Sequence, residues 1–130
     1  MLNSVSITGR LTKNAQARML PSGKHALSFT IAVNNRYKTK NGEYKSDTSF
    51  FDVEKIVADP KGLLQALTKG RLIVIEGSLQ QQRWTNKKDG AKRSKIVIFA
   101  DKIEIMPDSR KKEETASANA NIDINDNELF

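Results

Sequence analysis

Two stretches of alternating apolar and polar residues, three further strand-length runs set off by turn signals and one short helical pattern predict an all-β fold for this chain of 130 residues. All five stretches precede Pro107, so one domain is expected over residues 1–106, long enough to bury a core unaided. The chain has no cysteine, which excludes disulfides and thiolate chemistry.

The first strand begins at Val5, where Val5, Ile7 and Leu11 fall on odd positions with Ser6, Thr8 and Arg10 between them, and Gly9 suits a bulge or a close backbone approach. After the turn signal Pro21-Ser22-Gly23, Leu27, Phe29, Ile31 and Val33 alternate with Ser28, Thr30, Ala32 and Asn34 as a second strand. Asn41-Gly42 lies midway between Tyr37 and Lys45 and suits the positive φ angles of a tight hairpin, so the run Thr48 to Val57 is expected to pair back antiparallel. Asp59-Pro60 reads as N-cap and first residue of a short helix, Leu63, Leu64 and Leu67 as its apolar face, and Gly70 as its close. Arg71 to Trp84 is a long fourth strand that starts apolar on both sides and turns polar, and Asp89-Gly90 returns it into a fifth, Ser94 to Met106. Five strands with a helix between the third and fourth are the order of an OB-fold barrel, whose ring leaves no free edge and whose face and long loops form a groove.

Charge divides the chain in two. Residues 1–106 carry 19 Lys and Arg against 9 Asp and Glu, whereas residues 107–130 carry 3 against 6. A body this basic favours a polyanion, which makes nucleic acid the first partner to consider. Residues 107–121, rich in Ala and Asn with nothing large to bury, read as a disordered linker, and residues 122–130 as a separate acidic tip ending in Phe130. The chain opens without a basic n-region or apolar h-region, and no apolar run approaches the ~20 residues of a membrane span, so a soluble, cytoplasmic protein is expected.

Three aromatic residues stand among polar neighbours. Phe50 and Phe51 are adjacent on a strand and point to opposite faces. Phe51 shares its side with Val53 and is expected inward, while Phe50 shares its side with Thr48, Asp52 and Glu54. Trp84, the single tryptophan, continues the polar row Glu76, Ser78, Gln80, Gln82. Tyr37 sits at the edge of a loop beside Arg36, Lys38 and Lys40, and Trp84 is flanked by Arg83 and the basic loop Lys87, Lys88, Lys92, Arg93. Unpaired bases stack on aromatic rings, at about 1–3 kcal/mol each, while Lys and Arg follow the phosphates. The pattern therefore fits a single-stranded nucleic acid. Catalysis is not expected: His25, the one histidine, reads as a turn residue, Asp52 and Glu54 have no second cluster or metal ligands near them in sequence, and no phosphate-binding Gly-rich loop occurs. No cofactor or metal is implied.

The run Val74-Ile75-Glu76-Gly77-Ser78-Leu79-Gln80-Gln81-Gln82-Arg83-Trp84-Thr85, with Gly9 and Pro21-Ser22-Gly23 before it, closely resembles the bacterial single-stranded DNA-binding proteins. The resemblance covers roughly residues 2–106 and resumes at the last few residues, and its most specific piece is Glu-Gly followed by Arg-Trp-Thr. It implies base stacking by Tyr37, Phe50 and Trp84, and a fourth stacking position at Ile56, where the family has phenylalanine. Phe51 stands where the family uses a histidine near a subunit interface. The resemblance further implies a homotetramer, association with the nucleoid, roles in replication, recombination and repair, and docking of partner proteins by Asp126, Glu128, Leu129 and Phe130, with Leu129 where proline is usual. The chief rival is an RNA-binding or primosome-type module on the same fold.

A flexible linker of 15 residues has an r.m.s. reach of roughly 20 Å, so the acidic tip can touch its own basic body. It is then expected to compete with DNA for the groove. Deleting residues 123–130 should tighten binding of single-stranded DNA at low salt, and an unchanged affinity would reject that competition.

Overall fold

The structure, a computed structural model, describes residues 1–107, so the acidic tip and all of the linker but Pro107 lie outside the described residues. Six strands and one helix follow in order: β1 (Val5–Leu11), β2 (Gln16–Met19), β3 (His25–Lys38), β4 (Tyr44–Val57), α1 (Lys61–Ala66), β5 (Leu72–Thr85) and β6 (Lys92–Ile105). The sheet order is β1-β5-β6-β4-β3-β2, and β1 pairs again with β3. That second pairing closes a five-stranded barrel, with β2 left outside the ring as an extension of β3.

β2 was not legible as a strand. All four of its residues are exposed, so no apolar alternation marks it; its pairing with β3, from Gln16↔Ser28 to Met19↔His25, is a backbone matter. Because of this extra strand the helix lies between the fourth and fifth strands rather than the third and fourth. Its start also shifts by one residue. Pro60 is the N-cap and Asp59, instead of capping, accepts a hydrogen bond from the Lys61 amide at 3.1 Å. Leu67 at its C-terminal end is fully buried, and Leu63 and Leu64 pack against the same core, so α1 plugs one end of the barrel.

The alternation read from sequence becomes the barrel interior. Leu11, Phe29, Ile31, Val53, Ile73, Ile75, Ile98 and Ala100 form the buried cluster. A fully buried Leu, Ile, Val or Phe side chain contributes about 1.5–3 kcal/mol. Phe51 is the exception to its expected place. It pairs with the buried Ile31 and so lies on the inner side, but it stands where the barrel opens and stays 39% exposed.

Two seams close the ring, and each is short. β1 meets β3 only at Arg10↔Ala32 and Leu11↔Ile31, and β4 meets β6, in parallel, only at Val53↔Ile98 and Glu54↔Phe99. Gly9 lies beside the first seam, where a Cβ would stand 2.9 Å from the Ala32 carbonyl oxygen. Gly77 lies at a bulge: Glu76 pairs with Lys102 and Gly77 with Ala100, which leaves Asp101 unpaired on β6. A Cβ on Gly77 would overlap the Phe99 carbonyl group. Lys55 binds the carbonyls of Ala100, at 3.4 Å, and Asp101, at 2.7 Å, beside the β4–β6 seam.

Among the described residues no helix is long and apolar enough to cross a membrane. The close approach at Gly77 has a measurable consequence. Gly77→Ala is expected to destabilise the domain by about 3 kcal/mol, whereas Gly62→Ala in α1, which meets nothing within 4 Å, should stabilise it by up to about 1 kcal/mol. Urea unfolding midpoints of the two variants would check both signs.

Candidate nucleic-acid interface

Strands β3, β4, β5 and β6 are each 14 residues long, against a usual five or six. Their extra length leaves the barrel as two hairpin arms. On β3–β4 the residues beyond Val33 are exposed to the turn, which is closed by Thr39 donating to Glu43 and by Gly42 at φ +83°. On β5–β6 exposure begins at Leu79 and runs, but for the part-buried Gln82 and Asn86, to the turn at Gly90, whose amide bonds the Asn86 carbonyl. Tyr37 is therefore part of a strand and not of a loop edge.

Strand parity sorts the side chains onto faces. Cross-strand partners share a face, so the outer face of β4 carries Tyr44, Phe50, Asp52, Glu54 and Ile56, with Ala32, Asn34, Arg36 and Lys38 of β3 beside them. On β5 and β6 the same outer face carries Gln82 and Trp84 with their partners Lys95 and Arg93. Two contacts tie the halves together across the β4–β6 seam: Gln82 donates to Glu54, and Lys95 lies 3.6 Å from Asp52. Phe50, 65% exposed, Trp84, 47% exposed, and Ile56, 44% exposed, thus stand on one continuous face. Phe50 and Trp84 were assigned there by sequence parity alone.

Other predicted residues fall elsewhere. Tyr37 pairs with Lys45 and lies on the opposite side of the β3–β4 arm from Arg36 and Lys38. Arg83 and Lys92 share the parity of Ser94 and Thr85, opposite to Trp84. Lys40, Lys87 and Lys88 are exposed in the two turns. A crevice of about 410 Å³ runs between Trp84, Arg93 and Lys92 at the end of the second arm. Arg93 is engaged there by Asp89 at 3.2 Å, with both partners about half exposed, so this pair adds little to stability.

Two residues on the outer face were missed in the sequence. Tyr44, 67% exposed, lies under Arg36, 5.5 Å from its ring centroid, and under Lys38 at 5.9 Å. Its signal was the same aromatic-among-cations pattern that picked Tyr37, but only the register shows which tyrosine faces the cations. Lys95 was missed because it stands in an apolar strand outside the basic loop. Among the described residues no group of three or more His, Asp or Glu is placed to hold a metal.

Residues 2–106 match the Single-strand binding protein family. The chain belongs to that family. Among its relatives is the single-stranded DNA-binding protein of Aquifex aeolicus, 40% identical over 106 residues, which are 82% of this chain and 71% of that protein. The single-stranded DNA-binding protein of Helicobacter hepaticus is 34% identical over 121 residues, 93% of this chain and 71% of that one. In fold, the chain is similar to the Plasmodium falciparum single-stranded DNA-binding protein solved with single-stranded DNA, at a TM-score of 0.72 and 21% identity, over 82% of this chain and 97% of that one. In this member of the single-strand binding protein family, the long arms and the outer face are built by its own β3, β4, β5 and β6.

Proposed function

We propose that this chain binds single-stranded DNA with little sequence preference across the outer face of β3, β4, β5 and β6. The observation that carries the reading is the continuity of that face, on which exposed rings at Tyr44, Phe50 and Trp84 alternate with cations at Arg36, Lys38, Lys95 and Arg93. Bases stack on the rings and phosphates lie against the cations. Ile56 supplies an apolar contact without a ring face. Lys40, Lys87, Lys88, Lys92 and Arg83 extend the positive field around the two arms, and Tyr37 is reached where the strand passes round the edge of the first arm.

Binding of this kind protects an exposed strand and prevents its re-pairing during replication, recombination and repair. No chemistry on the DNA is part of the reading. The acidic segment Asp126, Glu128, Leu129, Phe130 is proposed to recruit replication and repair proteins, and the resemblance of residues 2–106 supports a cytoplasmic, nucleoid-associated homotetramer. Ile96 and Leu79, both exposed on the reverse side of the β5–β6 arm, support burial of that side between copies.

Titrating the sole tryptophan, Trp84, with single-stranded and duplex DNA at two salt concentrations tests the reading. Strong quenching by the single strand and weak quenching by duplex are expected, and neutralising about four phosphates gives log K against log salt a slope near −3. Flat fluorescence together with no binding by a second assay would reject it. Replacing a stacking ring removes about 1–3 kcal/mol, so Tyr44→Ala should weaken binding by about tenfold and Tyr37→Ala by less. The reverse order would put the strand on the other side of the arm.

A further inference from the structure

We propose that Asp89 is an internal competitor for DNA phosphate at Arg93, and that it lowers the affinity of the β5–β6 arm for the strand. The inference rests on the single-stranded DNA reading above and adds a regulating contact to it. Arg93 stands directly across the β5–β6 ladder from Trp84, and cross-strand neighbours have Cβ atoms about 5 Å apart. It is therefore the cation placed to meet the phosphate of a base stacked on the Trp84 ring. Its guanidinium is already engaged, because the Asp89 Oδ2 atom lies 3.2 Å from it.

Asp89 is held in that position by the turn it stands in. Its Oδ1 atom accepts from the Ala91 amide at 3.0 Å, while Asn86 accepts from the Gly90 amide through its carbonyl and from the Lys88 amide through its side chain. One carboxylate is thus fixed at the end of the arm. It is the only acidic residue between Arg83 and Lys95, among Lys87, Lys88, Lys92 and Arg93. With both partners about half exposed the pair adds little to the fold, so its main effect falls on whatever approaches Arg93. A carboxylate and a phosphate seek the same guanidinium donors. Binding there replaces one ion pair with another instead of creating one, and the displaced carboxylate repels the incoming phosphate. The first arm has no such device: Arg36 and Lys38 lie over Tyr44, 5.5 and 5.9 Å from its ring centroid, and neither is paired with a carboxylate among the described residues. The Trp84 arm is therefore the more weakly held end of the path.

Asp89→Asn tests this, because it removes the charge and keeps an Oδ1 acceptor for the Ala91 amide. By fluorescence anisotropy of a labelled oligo-dT strand, the full chain with this substitution should bind about threefold tighter at low salt, the range of one exposed ion pair. Its log K against log salt should also steepen by about 0.7, the share of one phosphate on a single strand. In an Arg93→Gln background the same substitution should leave affinity and slope nearly unchanged. Glu104→Gln, which removes a charge from an exposed site at the other end of β6, should keep the wild-type values. A gain that persists in the Arg93→Gln background, or an affinity of Asp89→Asn equal to or below that of the wild-type chain, would overturn the competition. No binding of the strand by the wild-type chain would overturn the single-stranded DNA reading together with it.

Discussion

Closing a five-stranded ring requires strands to approach at places where they pair only briefly, and in this chain everything else depends on those two seams. The β1–β3 and β4–β6 contacts each hold two residue pairs, far fewer than the ladders on either side of them. Beside them two glycines let backbones come close. Gly9 sits against the Ala32 carbonyl and Gly77 against that of Phe99. Lys55 then satisfies the carbonyls of Ala100 and Asp101. Such groups, if buried without a partner, would be costly.

The seams also set the outer face proposed to bind DNA. β4 and β6 touch only at Val53–Glu54 and Ile98–Phe99, and on the outer side of this contact Asp52 and Glu54 meet Lys95 and Gln82. Two hairpins distant in sequence become one surface at that point. Beyond it the strands continue as arms with no core to bury, which is why aromatic and charged residues dominate them. An exposed Tyr44 stacked under Arg36 and Lys38 contributes little to the barrel, and its placement makes sense as a surface for another molecule.

Much of this was legible without coordinates, for a specific reason. Where one face of a strand is buried, alternation with period two is forced, and it identified β1 and β3 and, by parity along strands that turn signals had marked, the inward Val53, Ile73 and Ile75 and the outward Phe50 and Trp84. Glycine turns at Asn41-Gly42 and Asp89-Gly90 were equally clear, because each requires a positive φ. The failures share the opposite cause. β2 buries neither face and so carries no pattern; Phe51 keeps the inner parity but lies beyond the mouth of the barrel; in the arms, parity continues although burial has ended, so Tyr37 and Tyr44 looked alike.

By itself the sequence determined the order of the five barrel strands and the helix, the side of each core strand that faces inward, the excess of positive charge over residues 1–106, and the aromatic residues left in polar rows, because each follows from local periodicity or composition. Tertiary structure alone decided which rings and cations share a face and that Asp52 and Glu54 lie beside Lys95 and Gln82. The relations that join the two hairpins link residues 28 or more positions apart, set by register across the seams, and no local pattern encodes a register that only the closing of the ring selects.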